Sequence, residues 1–326
     1  MSNKFSFFCI FVVLILIFSN IVIAKEVNMK WGHCQSPDHP SNIAMNAISK
    51  EVAEKTNGKI TIDIYPASQL GNAKDMIEGL IMGTQDMAFD GPVVMSGFLP
   101  KISIFDAPYL YKGFEHSQRV VNSEIAKSLF DELLKTKGIR ILDVWYYGLR
   151  HITTKGKTIN STEDLKGLKL RVSNTPLMID IVRALGANPT PMAGSEIYLA
   201  LQTGAVDGQE NPLAVIDSMK FYEVQDTVTL SGHVTNLQFV MISEKTWNKL
   251  SEGEQDILVD AVKKAGNSQN KIILEGESKL VENFKKLGLR VVEIDKTILK
   301  EDTKEVYKKY SNIWGSELME KIMEIE

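Results

Sequence analysis

Cysteine is almost missing from this 326-residue chain, which holds only Cys9 and Cys34. Cys9 lies in an apolar leader, so the rest of the chain carries one thiol and no internal disulfide can brace it. Stability has to come from a buried core, which about 300 residues can supply. A basic tract is missing too. The 37 Lys and Arg are outnumbered by 41 Asp and Glu and form no cluster, which argues against nucleic acid as a partner. No Gly-x-Ser-x-Gly elbow, phosphate loop or dinucleotide fingerprint stands where a strand-to-helix turn would need it. With no evident nucleophile–base set either, neither catalysis nor a bound cofactor is expected. Repeats and low-complexity linkers are absent as well.

Long apolar runs are confined to the start. After Met1–Lys4 comes "FSFFCIFVVLILIFSNIVIA", an apolar segment with one early lysine and a small residue, Ala24, at its end. That is the pattern of a secretory signal peptide cut after Ala24. Ser19-Asn20 interrupts the run, which falls short of the roughly 20 apolar residues a membrane span needs. Cys9 follows Phe7-Phe8 rather than small residues, unlike a lipid-attachment cysteine. Removal of residues 1–24 takes Lys4 with it and leaves 36 basic against 41 acidic residues, a net charge of −5. The expectation is an exported, mildly acidic protein.

What the chain has in abundance is alternation. From residue 26 the periodicity switches repeatedly between two and about 3.6, the mark of an α/β protein. "VNMKWG", "KITIDIYP", "TQDMAFD", "GIRILDVWYY", "LKLRV", "ANPTPM", "VDGQE", "QFVMIS" and "GLRVVEI" read as strands. Between them, "SNIAMNAISKEVAEKTNG" is a helix closed by Asn57-Gly58, and "AKDMIEGLIMG", residues 117–137, "STEDLK", "PLMIDIVRALG" and "SEIYLALQTG" are helical. A helix of about thirty residues follows Ser251, and two helices close the chain. Regular βα alternation predicts parallel sheets, whose ligands sit at the carboxyl ends of the strands.

Several polar groups fall where such a ligand would be. Arg171 stands one residue before the end of "LKLRV", although a solvated strand-face arginine is the commoner meaning of that pattern. "WYYGLRHITT" places Arg150 after three aromatics. A guanidinium there is either a forked carboxylate clamp or a structural group stacked on a ring. In "DGQENPLAV", Asn211-Pro212 reads as an N-cap followed by a proline at the first helical position, a geometry that also suits anion binding. Asp207 and Glu210 could be taken for a glycosidase carboxylate pair, but their sequence spacing does not fix the separation that chemistry requires. "HCQSPDH" offers His33, Cys34, Asp38 and His39, but adjacent ligands rarely point at one ion, so no metal site is expected.

Three stretches go beyond pattern. "IYPASQLG", "LKGLKLRVSN" and "GANPTPMAGSEIYLALQTGAVDGQENPL", with "KFYEVQ" just after, resemble the substrate-binding proteins of TRAP transporters, the tripartite ATP-independent periplasmic carriers. The resemblance runs from about Met29 to the C-terminus in consistent order and spacing. It implies a two-lobed, periplasmic-binding-protein-like α/β fold. Each lobe would be a β-sheet flanked by helices, with a hinge between the lobes and a long helix spanning both. One lobe would hold 25–147 with about 236–275, the other 148–235 with about 276–326, and the last helices would pack across both. Gly148 and the Gly232-His233 region are candidate hinge points. The implied role is that of a periplasmic, monomeric receptor that closes on a small organic acid and passes it to membrane permease subunits.

By matching motifs, Arg171 takes the place of the family's nearly universal carboxylate-binding arginine, Arg150 that of a second arginine, and Asn211 that of an asparagine completing the site. The sialic-acid branch carries a glutamate where this chain has Asp90-Gly91-Pro92, a phenylalanine at Gly194 and an acidic residue at Asn72-Ala73. These departures argue against sialic acid, and "GHCQSPDHP", "GPVVMSGFLP" and "YYGLRHITT" look more like branches that take smaller sugar acids such as hexuronates, aldonates or keto-sugar acids. His33, Gln35, Asn72, Asp90, Trp145 and Glu210 are then the candidates for contacting the rest of the ligand. A dicarboxylate would need a second cation, for which Arg150 and His151 are the evident spares.

Overall fold

The alternation in "VNMKWGH" and "ITIDIY" produces β1 (Val27–His33) and β2 (Ile60–Tyr65), in which buried and exposed positions take turns. The computed structural model describes residues 26–325, so the expected leader and its cleavage site lie outside the described residues. Eight further strands follow: β3 (Met87–Asp90), β4 (Ile139–Thr154), β5 (Lys169–Val172), β6 (Asn188–Pro191), β7 (Gly208–Pro212), β8 (Thr227–Thr229), β9 (Thr235–Ser243) and β10 (Arg290–Val292). They join in the order β2-β1-β3-β9-β4-β7-β5-β6, with β8 on β4 and β10 on β8. Among the described residues no helix is long and apolar enough to cross a membrane.

The expectation of purely parallel sheets is corrected at the centre. β1 runs parallel to β2 and β3, and β5 to β6 and β7, but β4 and β9 are antiparallel to each other and to the strands they join. Local pattern gives strand existence but not direction, and both central strands are crossings from one half of the molecule to the other. β4 is also longer than "GIRILDVWYY" suggested: it runs 16 residues, through Gly148 to Thr154. Its first part pairs with β9, its last with β7 and β8. Where the two parts meet, the register shifts between Tyr146 and Gly148, and Gly148 takes φ +110°. A glycine bulge of this kind bends a strand without ending it.

The helices largely follow their caps. Helix Pro40–Lys55 starts on a proline and stops at Asn57 and Gly58, both in the left-handed region. Residues 117–137 are not one helix: Phe114–Val121 ends at Asn122, and Ser123 caps a second helix, Glu124–Lys137. "STEDLK" makes only a 3-10 turn, Thr162–Leu165, and the chain closes with three helices, Lys296–Asp302, Lys304–Trp314 and Ser316–Glu324.

Alternation divides the core between the two faces of the sheet. On β9, Leu237, Phe239 and Met241 join one apolar cluster, while Val240 and Ile242 join the other. The 35-residue helix Glu252–Lys286, opened by a Ser251–Glu254 capping box, crosses the bulge. From one of its faces, Asn270 Oδ1 accepts from the Tyr146 amide (2.7 Å) and Gln269 Nε2 donates to the Tyr146 carbonyl (3.1 Å). Glu277 Oε1, two turns on, accepts from the Tyr146 hydroxyl (3.1 Å) and the Leu149 amide (3.2 Å). These bonds replace ladder hydrogen bonds that a bulge forfeits. Helix Lys304–Trp314 touches both halves: Tyr310 donates to Asp180 (3.0 Å) in helix Pro176–Ala184, and Trp314 Nε1 donates to Ser103 Oγ (2.9 Å).

A Cβ on Gly148 would stand 3.1 Å from Pro212 Cβ and 3.3 Å from Glu277 Oε1, at a φ that L-residues avoid. Gly148→Ala is therefore expected to cost about 1–3 kcal/mol, read as a lower midpoint in denaturant unfolding. An unchanged midpoint would mean that the bulge is not constrained.

Candidate functional site

The loop after β1, the end of β3, and parts of β4, β5, β7 and β9 enclose a cleft of about 400 Å³. Three helices, Pro40–Lys55, Ala73–Met82 and Pro176–Ala184, open their N-terminal ends onto it. Their dipoles bias the space toward negative charge.

Arg171 is the most consequential group on the wall. It is 4% exposed, and its one hydrogen bond to the described residues runs from Nη2 to the Met192 carbonyl at 2.8 Å. Its Nε has no partner among the described residues. Burial pulls its pKa down to about 10. A guanidinium this dry, with donors unspent, is stabilised by any anion that reaches it.

Arg150 is built differently. Its Nε and Nη2 grip the Glu210 carboxylate in a fork, Nη2 also donates to the Glu210 carbonyl (2.8 Å) and to Asn211 Oδ1 (3.1 Å), and Nη1 donates to Asn236 Oδ1 (2.8 Å). Glu210 also meets His233 Nε2 at 3.3 Å. Burial alone would raise the Glu210 pKa, but Arg150 and His233 outweigh it and hold the carboxyl down at about 2. Arg150 thus reaches the cleft with its charge already matched.

Six of the residues expected from the sequence line the cleft: Arg171, Arg150, Asn211, Asp90, Gln35 and Asn72. Asn211 corrects the cap expectation, because it lies in β7 opposite His151 and the short helix Leu213–Ser218 starts two residues on, with Pro212 as its N-cap. Its Nδ2 donates to Gln209 Oε1 at 2.5 Å. Asn72 caps helix Ala73–Met82 through Oδ1, and Asp90 Oδ1 accepts from the Gly91 amide at 2.8 Å. Burial pushes the Asp90 carboxyl up to about 7.

Three expected residues stay away from the cleft. Glu210 lies beneath it as the counter-ion of Arg150. Trp145 is fully buried, packed on Phe89, with Nε1 donating to Asp143 (3.0 Å); it lies two residues deeper along the same face as Tyr147, which does reach the cleft. His33 is sealed at the end of β1 against Asn42 Oδ1 (3.0 Å). Sequence reasoning missed Tyr147, Asn236 and Gln238. Their signal was present: Asn236 and Gln238 are polar alternates in a strand whose other residues are almost all apolar. No three His, Cys, Asp or Glu side chains converge as a metal site among the described residues.

Fold and wall together define a class, a two-lobed α/β receptor with a buried arginine in the gap. Comparison then gives the family. Residues 31–313 match the family model described as bacterial extracellular solute-binding protein, family 7. The chain is 39% identical over 275 residues to the sialic acid-binding periplasmic protein of Vibrio cholerae, covering 84% of this chain and 85% of that one. It is 32% identical over 285 residues to the 2,3-diketo-L-gulonate-binding periplasmic protein of Escherichia coli, covering 87% and 86%. Among solved structures, a TRAP periplasmic solute-binding protein of Roseobacter denitrificans with bound L-galactonate superposes with a TM-score of 0.85 at 32% identity, over 92% of this chain and 99% of that one. The chain belongs to this family, the periplasmic solute receptors of TRAP transporters.

Asp90 and Glu210 make opposite contributions to stability with pH. Glu210, depressed to about 2 from 4.5, contributes stability that is full above pH 4.5 and lost as pH falls toward 2. Asp90, raised to about 7 from 3.8, keeps its proton in the folded chain after the unfolded chain has released it, so its contribution falls as pH rises from about 4 to 7. Asp90→Asn should flatten that decline and melt above the parent at pH 8. A variant whose melting temperature falls with pH as steeply as the parent's would contradict the burial of this carboxyl.

Proposed function

We propose that this receptor captures a small sugar acid, a hexuronate, aldonate or keto-sugar acid, outside the cytoplasm and delivers it unchanged to membrane permease subunits. Arg171 carries the reading. A single buried guanidinium with free donors calls for one carboxylate, and a fork of donors matches its two oxygens. The polar wall around it, with Asp90, Gln35, Asn72, Asn236 and Gln238, suits hydroxyl groups. The cleft is near the small end of the roughly 300–1,000 Å³ typical of ligand sites.

The likeness to a sialic acid receptor favours a second reading, with sialic acid itself as the ligand. Against it stand Asp90-Gly91-Pro92, Gly194 and Asn72-Ala73, where that branch carries larger or acidic groups. A dicarboxylate fits less well. Arg150 is spent on Glu210, and His151 is buried, accepts from the Gly232 amide and is held neutral by burial, its pKa lowered to about 3. Lys74, at the cleft mouth, is largely exposed and lies 3.5 Å from Glu78.

In this reading the chain is exported by a leader cleaved after Ala24 and works as a monomer. Residues 25–147 with about 236–275 form one lobe, and 148–235 with about 276–326 the other. The lobes close as rigid bodies about Gly148 and the Gly232-His233 turn, where the chain takes positive φ at both glycines. Closure strips water from the carboxylate, a cost that the fixed guanidinium offsets.

Arg171→Lys keeps the charge and loses the fork. Affinity should fall by an amount worth about 2–5 kcal/mol, roughly 30-fold to several-thousand-fold, in calorimetry with the preferred acid. Unchanged affinity would remove Arg171 from the site. A thermal-shift panel of uronates, aldonates, keto-sugar acids, sialic acid and succinate selects that acid. A hundredfold excess over Kd stabilises by about 2.7 kcal/mol. The bound acid should be recovered intact by mass spectrometry, and turnover would overturn the receptor reading.

A further inference from the structure

His39 caps helix Pro40–Lys55, its Nδ1 accepting from the Ser41 amide at 3.1 Å. That bond decides the tautomer: a neutral imidazole whose Nδ1 accepts carries its proton on Nε2. The ring is 1% exposed, and burial holds its pKa down to about 3, so it stays neutral at physiological pH. Tyr147 braces it, ring centroids 4.9 Å apart. His39 lines the cleft, yet Nε2 has no partner among the described residues. A buried donor left unsatisfied costs about 1–3 kcal/mol, which points to a partner that comes and goes.

An acceptor lines the same cleft. Gln238, 7% exposed on β9, keeps Oε1 buried and unpartnered among the described residues. The helix cap after β1 and strand β9 thus offer one fixed N–H, on His39, and one oxygen in need of a proton, on Gln238, while Arg171 on β5 offers donors only. A hydroxyl meets both demands, because its oxygen accepts from His39 while its hydrogen goes to Gln238 Oε1. A carboxylate oxygen would satisfy His39 but set lone pairs against Gln238 Oε1.

We propose that His39 is a specificity-determining residue: its Nε2–H and Gln238 Oε1 together receive a hydroxyl of the bound acid, so the site selects hydroxylated monocarboxylates over dicarboxylates. The inference rests on the receptor reading above and narrows its ligand class.

His39→Ser tests it, because serine preserves a favoured helix cap and removes the ring donor, together with the ring's packing on Tyr147. Calorimetry would use L-galactonate, D-glucuronate, 2,3-diketo-L-gulonate and succinate. The parent should prefer at least one hydroxylated acid to succinate. His39→Ser should weaken that acid about tenfold and succinate less than about twofold. Nitrogen-15 NMR of the ligand-free parent should show the Nε2-protonated neutral tautomer. Equal losses on both ligand types, no loss on the hydroxylated acid, a parent preference for succinate, or an Nδ1-protonated ring would each overturn the proposal. Arg171→Lys separates the two readings. If it loses every acid while His39→Ser loses none, the clamp stands and this inference falls. If it retains them while His39→Ser discriminates, the clamp falls instead.

Discussion

A guanidinium that is nearly dry and forms no salt bridge among the described residues is the constraint on which this molecule turns. Arg171 is buried, donates once to a backbone carbonyl, and leaves its Nε without a partner among the described residues. Such a charge is tolerated only because the surrounding fold holds it in place, and an incoming carboxylate relieves it. The helix N-termini that open on the same space act in the same sense.

The neighbouring arginine explains how two cations can share one small cleft. Arg150 and Arg171 repel, and that repulsion contributes to the lowered Arg171 pKa. Glu210 removes the conflict by taking Arg150 in a fork, with His233 and Asn236 completing the shell. The pair Arg150–Glu210 is neutral, which leaves Arg171 as the guanidinium on this wall without a paired carboxylate among the described residues. Arg150 stands two residues after Gly148 in the bulge, and the long helix fixes that bulge through Asn270, Gln269 and Glu277. The charge arrangement and the crossing between lobes are therefore parts of one construction.

Much of this was legible in the sequence, and the failures have physical causes. Strand positions followed from alternation, and caps such as Asn57-Gly58 and Ser251 fixed helix ends because their chemistry is local. β4 was cut short at Tyr147 because a mid-strand Gly reads as a turn until its register partner is known. Asn211-Pro212 read as a cap, although backbone pairing with His151 held it in a strand. Arg171 looked solvent-facing by pattern, and only the resemblance assigned it to a ligand carboxylate; the fold buries it in the cleft wall. Glu210 could not be told from a ligand-binding carboxylate, because its pairing with Arg150 bridges 60 residues of sequence. His39 stood in plain view beside Pro40, but the direction of its second nitrogen is a property of the folded cap.

The most direct trial of the account compares the preferred sugar acid with its methyl ester by calorimetry. Esterification leaves every hydroxyl in place and removes only the charge and the symmetric pair of oxygens. If Arg171 is the anchor, the ester should bind at least about 30-fold more weakly. An ester that binds as tightly as the acid would show that the cleft holds its ligand by something other than this cation.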